Sequence, residues 1–187
     1  MLNYTLHSQP ALGGYVASFD GVSLTEITDF SLVSGAVPLG GEAAAVEVLF
    51  DAFNLALPDV GRSVLNNDGE MRLLRLASDQ LLFLSDAPFA ESQICKALEG
   101  HLYTTVQTDG WVFLEISGPK TQQALERICP LDLHPDVFGI DVIARTSMEH
   151  LGAMICRTGE DKFALMSASS SAHSFLHAIE VSICNVT

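Results

Sequence analysis

From residue 71 onward, apolar and polar positions fall into short, regular runs. "MRLLRLA" (71–77) and "QLLFLS" (80–85) are rich in strand formers and meet across Ser78-Asp79, which predicts a hairpin. In "APFAESQICKALEG" (87–100), Phe89, Ile94 and Leu98 lie along one side at helical spacing, with Gly100 as the stop. "HLYTTVQT" (101–108) is again strand-like, and Asp109-Gly110 predicts a hairpin turn into "WVFLEIS" (111–117). Pro119 then suits the first turn of a helix, where its missing N–H leaves nothing unsatisfied. Ala124, Leu125 and Ile128 form that helix's narrow apolar stripe, and Pro130 ends it. Three strand-like runs follow at 141–148, 151–158 and 162–168. A last helix over 170–184 lays Ala172, Phe175, Leu176, Ile179 and Ile183 on one side.

The upstream part is less regular. Residues 1–22 have weak periodicity and read as an N-terminal arm. "SLTEITDFSLVSG" (23–35) reads as one strand, with Leu24, Phe30 and Leu32 among polar neighbours. "GGEAAAVEVLFDAFNLALP" reads as a helix carrying Ala45, Leu49, Phe53 and Ala56, stopped by Pro58, and Asn66-Asn67-Asp68-Gly69 is a turn. From residue 71 the order is therefore ββαβ and then βαβββα. Such an order predicts an α+β fold with mixed or antiparallel sheets and helices on one face, in two small split-βαβ-like subdomains. The expected organisation is an arm over 1–22 and one domain over 23–187, with possible halves at 23–108 and 109–187. Within 111–117, Trp111, Phe113 and Glu115 share one side, and Val112, Leu114 and Ile116 the other. A strand apolar on both sides must be covered on both, either by the other half or by a separate chain.

Composition narrows the function classes. Nine Lys plus Arg stand against 23 Asp plus Glu, a formal net charge of -14, so phosphate backbones and anionic membrane surfaces are not expected partners. That balance serves solubility, or suits a subunit that hides an apolar face against a larger partner, since 48% of residues are hydrophobic. No run approaches the roughly 20 apolar residues of a membrane helix. The opening "MLNYTLHSQPALGG" has neither a basic leader nor an apolar core, so no secretory signal is expected and a cytoplasmic location is. Cys95, Cys129, Cys156 and Cys184 show no CxxC or Cys/His pairing and are expected as reduced thiols.

Candidate chemistry is sparse. "SGPKT" places Lys120 after a Gly-Pro corner, but GxxxxGK[ST] is absent and Pro119 removes an N–H that a phosphate cradle would need, so strand-turn-helix is the expected role. No GxGxxG or GxSxG occurs. His173, His177 and Glu180 share a helical stripe and form a possible partial metal set, without HExxH or a distal fourth ligand; the polar flank of an amphipathic helix is the competing reading. His150, beside Glu149, and His134, before Pro135, read as turn histidines. Asp132 and Asp136 would serve acid–base work only if buried opposite each other.

Taken together, "DGWVFLEISGPKTQQALERICPLDLHPDVF", "ARTSMEHLGAMICRTGEDKFALM" and "SSAHSFLHAI" resemble the gamma subunit family of heterotetrameric sarcosine oxidase, most closely from Asp109 to Ile179. "EITDFSLVSG" and "LLRLASDQLLFLSD" extend the resemblance over most of the chain. The resemblance implies a fold like the folate-binding region of the glycine-cleavage T-protein. It implies a complex in which an alpha-like subunit binds NAD and tetrahydrofolate, a beta-like subunit carries FAD and shares FMN with alpha, and a small delta-like subunit completes the assembly. Sarcosine would be oxidatively demethylated to glycine, with hydrogen peroxide and formaldehyde or methylene-tetrahydrofolate as products. The gamma-like chain is then expected to hold no catalytic residue, cofactor or metal. Trp111, Phe113, Gly118, Pro119, Arg145 and His150 are its candidate interface or structural residues. The Lys-Gly-Cys-aromatic-Gly motif of folate proteins of the iron–sulfur repair type is absent. Competing expectations are a stand-alone folate-binding one-carbon protein, a gamma subunit of an N-methylglutamate-type dehydrogenase, and a metal enzyme using the helical histidines.

Overall fold

The strand apolar on both sides is the key to the architecture, because it lies between two covered faces. The computed structural model describes residues 9–187. Along the chain run β1 (Val16–Phe19), β2 (Val22–Glu26), β3 (Ser31–Ala36), α1 (Glu42–Phe53), β4 (Arg62–Leu65), β5 (Met71–Arg75), β6 (Gln80–Ser85), α2 (Glu91–Ala97) and β7 (Tyr103–Val106). Then come β8 (Trp111–Ser117), α3 (Thr121–Glu126), β9 (Ile143–Met148), β10 (Leu151–Gly159), β11 (Lys162–Ala168) and α4 (Ala172–Cys184). The strands form two antiparallel sheets, ordered β1-β2-β8-β11-β10-β9 and β4-β5-β6-β3-β7.

The sheets stack face to face with helices outside. Val112, Leu114 and Ile116 point from β8 into a core with Leu125 of α3 and Phe175 and Ile179 of α4. Leu73, Phe83 and Val33 meet Leu49 of α1 and Ile94 of α2 on the far side of the second sheet. Between the sheets, Phe30, Leu32, Leu82 and Leu84 face Phe113, Met154 and Met166. Phe30 and Phe113 pack edge to face there, centroids 5.4 Å apart. The cover over the second face of β8 thus comes from the same chain.

An internal repeat organises this sandwich. β3-α1-β4-β5-β6-α2 and β8-α3-β9-β10-β11-α4 share the order βαβββα and the same neighbour order, β3-β6-β5-β4 against β8-β11-β10-β9. Their equivalent outer strands meet: the Ser63 N–H donates to the Asp141 carbonyl at 2.8 Å, and the Ile143 N–H to the Gly61 carbonyl at 2.9 Å. Beyond the repeat, β2 flanks β8 and β7 flanks β3.

Several expectations are corrected. The single strand expected over 23–35 is two strands in different sheets, since the chain crosses between them at residues 27–30 with Ile27 N–H donating to the Phe113 carbonyl. The expected Asp109-Gly110 hairpin is a short 3-10 turn, Thr108–Gly110, that also changes sheets; β7 pairs with β3, and β8 with β2 and β11. The helix expected over 87–100 is limited to Glu91–Ala97, and Phe89 lies outside it. α1 ends at a left-handed Asn54, leaving Ala56 exposed beyond it instead of on its buried stripe. Pro119 sits one residue before Lys120, the cap of α3, and so precedes the first helical turn. Within the segment expected as an arm, Val16–Phe19 pairs with β2, while residues 1–8 lie outside the described residues.

Candidate functional site

The six singled-out residues are placed in three settings. Trp111 and Phe113 belong to the layer between the sheets. Gly118 has φ +120, and a Cβ there would stand 2.5 Å from the Gly21 carbonyl oxygen, so only glycine fits this close approach. Beside it Pro119 is exposed, and Lys120 is committed to an ion pair with Asp20 at 2.8 Å. Arg145 on β9 donates to the Gln80 side chain at 3.1 Å, stitching one sheet to the other at the surface. His150 and Glu149 form the two-residue turn between Met148 and Leu151, both left-handed (φ +70 and +46) and both exposed. The Gly-Pro corner joins β8 to α3.

The other candidates do not converge. His173 and His177 are exposed, whereas Glu180 accepts a hydrogen bond from the Tyr15 hydroxyl. Among the described residues, no group of three or more His, Cys, Asp or Glu is placed to hold a metal ion. Burial, reinforced by that carboxylate, pushes the Tyr15 hydroxyl up to about 12. His134 lies 3.5 Å from Asp136, and its N–H donates to Asp132, an exposed turn arrangement with no buried carboxylate pair. A groove of about 410 Å³ runs between α3, α4 and the Glu149-His150 turn, with Arg127, Glu149 and His177 among its lining residues.

Sequence reading missed two polar clusters. At the junction of β4 and β9, Arg72 pairs with Asp141 and donates to Ser63 at 2.9 Å, while Ser63 touches the Cys156 sulfur at 3.5 Å. Burial raises the Cys156 thiol above its ordinary pKa, which keeps it protonated and unreactive. This cluster closes one end of an intersheet cavity of about 240 Å³, where Lys162 and Glu115 pair at 2.8 Å. The second is Arg157, 2% exposed, whose guanidinium donates to the carbonyls of Leu133, Phe138 and Glu160 and lies over the Phe163 ring. It pins the Cys129–Gly139 loop through carbonyls alone. Alternation in "MRLLRLA" was the available hint for Arg72, which must face the side opposite Leu73.

Several large apolar side chains are left exposed. On α1, Val46 and Phe50 face solvent, with Leu39 fully exposed in the preceding turn. Phe89 is 86% exposed. No helix of the described residues is long and apolar enough to cross a membrane.

Comparison with known proteins agrees with the layered, repeat-built fold. The chain is 33% identical over 64 residues to a sarcosine oxidase subunit gamma from Corynebacterium sp. (strain P-1), a match covering 34% of this chain and 32% of the relative. The matched stretch therefore spans about a third of that relative's length. In structure, it superposes on a chain of heterotetrameric sarcosine oxidase from Corynebacterium sp. U-96 with TM-score 0.78 and 24% identity, over 91% of this chain and 88% of that one. Aminomethyltransferase T of the glycine cleavage system from Bartonella henselae superposes with TM-score 0.65 and 18% identity, over 89% of this chain and 53% of that one. Residues 39–182, from the turn before α1 into α4, match the profile of one family, and on that extent the chain belongs to the sarcosine oxidase, gamma subunit family.

Proposed function

We propose that this chain is the non-catalytic gamma-type subunit of a heterotetrameric, cytoplasmic sarcosine oxidase. In this reading the complex demethylates sarcosine oxidatively to glycine in sarcosine catabolism. FAD, FMN, NAD and tetrahydrofolate reside on alpha-like and beta-like companions, and a small delta-like subunit completes the assembly. The observation that carries the reading is the family match over residues 39–182, which runs through both halves of the repeat.

The geometry supports a held, non-catalytic part. Arg72, Lys120 and Lys162 are ion-paired within the chain, and Arg157 is spent on backbone carbonyls. The intersheet cavity, about 240 Å³, is smaller than the roughly 300–1,000 Å³ typical of small-molecule sites. Exposed Leu39, Val46 and Phe50 favour burial against another protein.

Co-expression with alpha-like and beta-like flavoprotein chains tests the reading. The expected result is co-purification of all chains and sarcosine turnover by the complex, with neither turnover nor saturable tetrahydrofolate binding by this chain alone. Turnover by the isolated chain, or its failure to enter the complex, overturns it.

A further inference from the structure

Phe89 combines two properties that nothing among the described residues explains. Its ring is 86% exposed, and its backbone is left-handed at φ +63, a region that bulky side chains avoid and that glycine or asparagine would fill without strain. Neighbouring Ala87 and Pro88 are exposed as well, so the loop presents a continuous apolar tip.

The loop is clamped from beneath. Fully buried Ser31 donates its hydroxyl to the Ala87 carbonyl at 2.8 Å and accepts the Ala90 N–H at 2.9 Å. Ser85 accepts the Ala87 N–H at 3.2 Å, and the Asp86 N–H donates to the Glu70 carbonyl at 2.9 Å. On the far side, Thr108 donates to the Glu91 carboxylate at 2.6 Å and accepts the Leu32 N–H at 3.0 Å. A strained, exposed aromatic held this firmly loses little freedom when it is buried by another molecule.

The surroundings specify the occupant. Asp68, Glu70 and Asp86 are exposed on this side, and none is in an ion pair among the described residues; Arg72, two positions from Glu70, is committed to Asp141. A second copy of this chain would bring two such acidic rims together, which the net charge of -14 compounds. We infer that the Ala87-Pro88-Phe89 tip is the docking anchor of this chain, the Phe89 ring entering an apolar pocket on a companion subunit whose rim carries lysine or arginine. This rests on the subunit reading above and deepens it.

The test measures binding of the purified chain to the reconstituted alpha-like and beta-like flavoprotein subunits. Phe89→Ala and Phe89→Gly are each expected to weaken assembly by about thirtyfold or more, the scale of a hot-spot residue. Phe89→Gly is also expected to leave the thermal midpoint of the isolated chain unchanged or raise it, because glycine relieves the left-handed backbone. Glu70→Lys with Asp86→Lys is expected to slow association and flatten its salt dependence. Wild-type binding with Phe89→Ala within twofold of it overturns the anchor while leaving the subunit reading intact. A lowered midpoint for Phe89→Gly overturns it too, since the ring would then hold the loop. Self-association that Phe89→Ala abolishes would assign the tip to a second copy, against the proposal. Absence of wild-type binding removes the subunit reading itself.

Discussion

Gly118 and Lys120 sit two positions apart and carry opposite weights. Any side chain at Gly118 meets the Gly21 carbonyl at 2.5 Å in a backbone conformation of φ +120. Gly118→Ala is therefore expected to destabilise the chain by about 2–4 kcal/mol in urea denaturation. Lys120 only lays its stem over Gly21 and pairs with an exposed aspartate, so Lys120→Met is expected to keep a near-native denaturation midpoint and, in the proposed complex, full activity. A catalytic lysine would give the reverse pattern. The thiols separate by the same kind of local reasoning. Cys184 is exposed and Cys156 is buried with its pKa raised, so iodoacetamide at neutral pH is expected to modify Cys184 first, as read by peptide mass spectrometry.

At the scale of elements, one carboxylate fastens the beginning of the described chain. Glu26, at the end of β2, is 6% exposed and accepts the N–H groups of Leu12 at 2.9 Å, Gly14 at 2.7 Å and Tyr15 at 3.3 Å. Tyr15 in turn donates to Glu180 on α4, so β1 and the last helix are tied through one side chain. Folding raises the Tyr15 pKa from 10.0 to about 12. The stability it contributes is thus complete below the unfolded value and lost as pH climbs through the interval to the folded one. Titration followed by tyrosinate absorbance is expected to show one tyrosine ionising late, and Glu180→Gln to bring it back toward the ordinary range. Glu26→Ala is expected to admit protease cleavage within residues 9–15, because three N–H groups lose their acceptor together.

The regular strand runs and the last helix were legible in the sequence because their period matched their burial; Ala172, Phe175, Leu176, Ile179 and Ile183 all reach the core. The sheet changes at residues 27–30 and 108–110 were not, since alternation persists through a segment whether or not it changes partner. Phe89 misled for a related reason. Hydrophobicity at helical spacing announces burial, and here the ring faces solvent. The Arg72–Asp141–Ser63–Cys156 cluster joins residues up to 93 positions apart and leaves no local spacing to read.

Among the described residues, two βαβββα units flanked by β1, β2 and β7 share one largely apolar layer, and that layer sets how the molecule can be divided. A cut between 108 and 109 separates the repeats in sequence but leaves β2, which hydrogen-bonds along β8, on the wrong fragment. It also bares Phe30, Leu32 and Leu84 on one piece and Phe113, Met154 and Met166 on the other, apolar faces that isolated sheets cannot leave in water. Residues 1–108 and 109–187 expressed apart are therefore expected to aggregate or stay unfolded, and to recover native circular dichroism only when refolded together. The intact chain is expected to unfold in a single transition, and Phe113→Ala to lower its stability by about 3 kcal/mol while preserving that cooperativity, because the lost ring vacates the layer common to both units. Native folding of 109–187 alone, or two separated transitions in the intact chain, would show that the layer is an incidental contact between independent halves, and the docking of the chain would then have to be considered for each half separately.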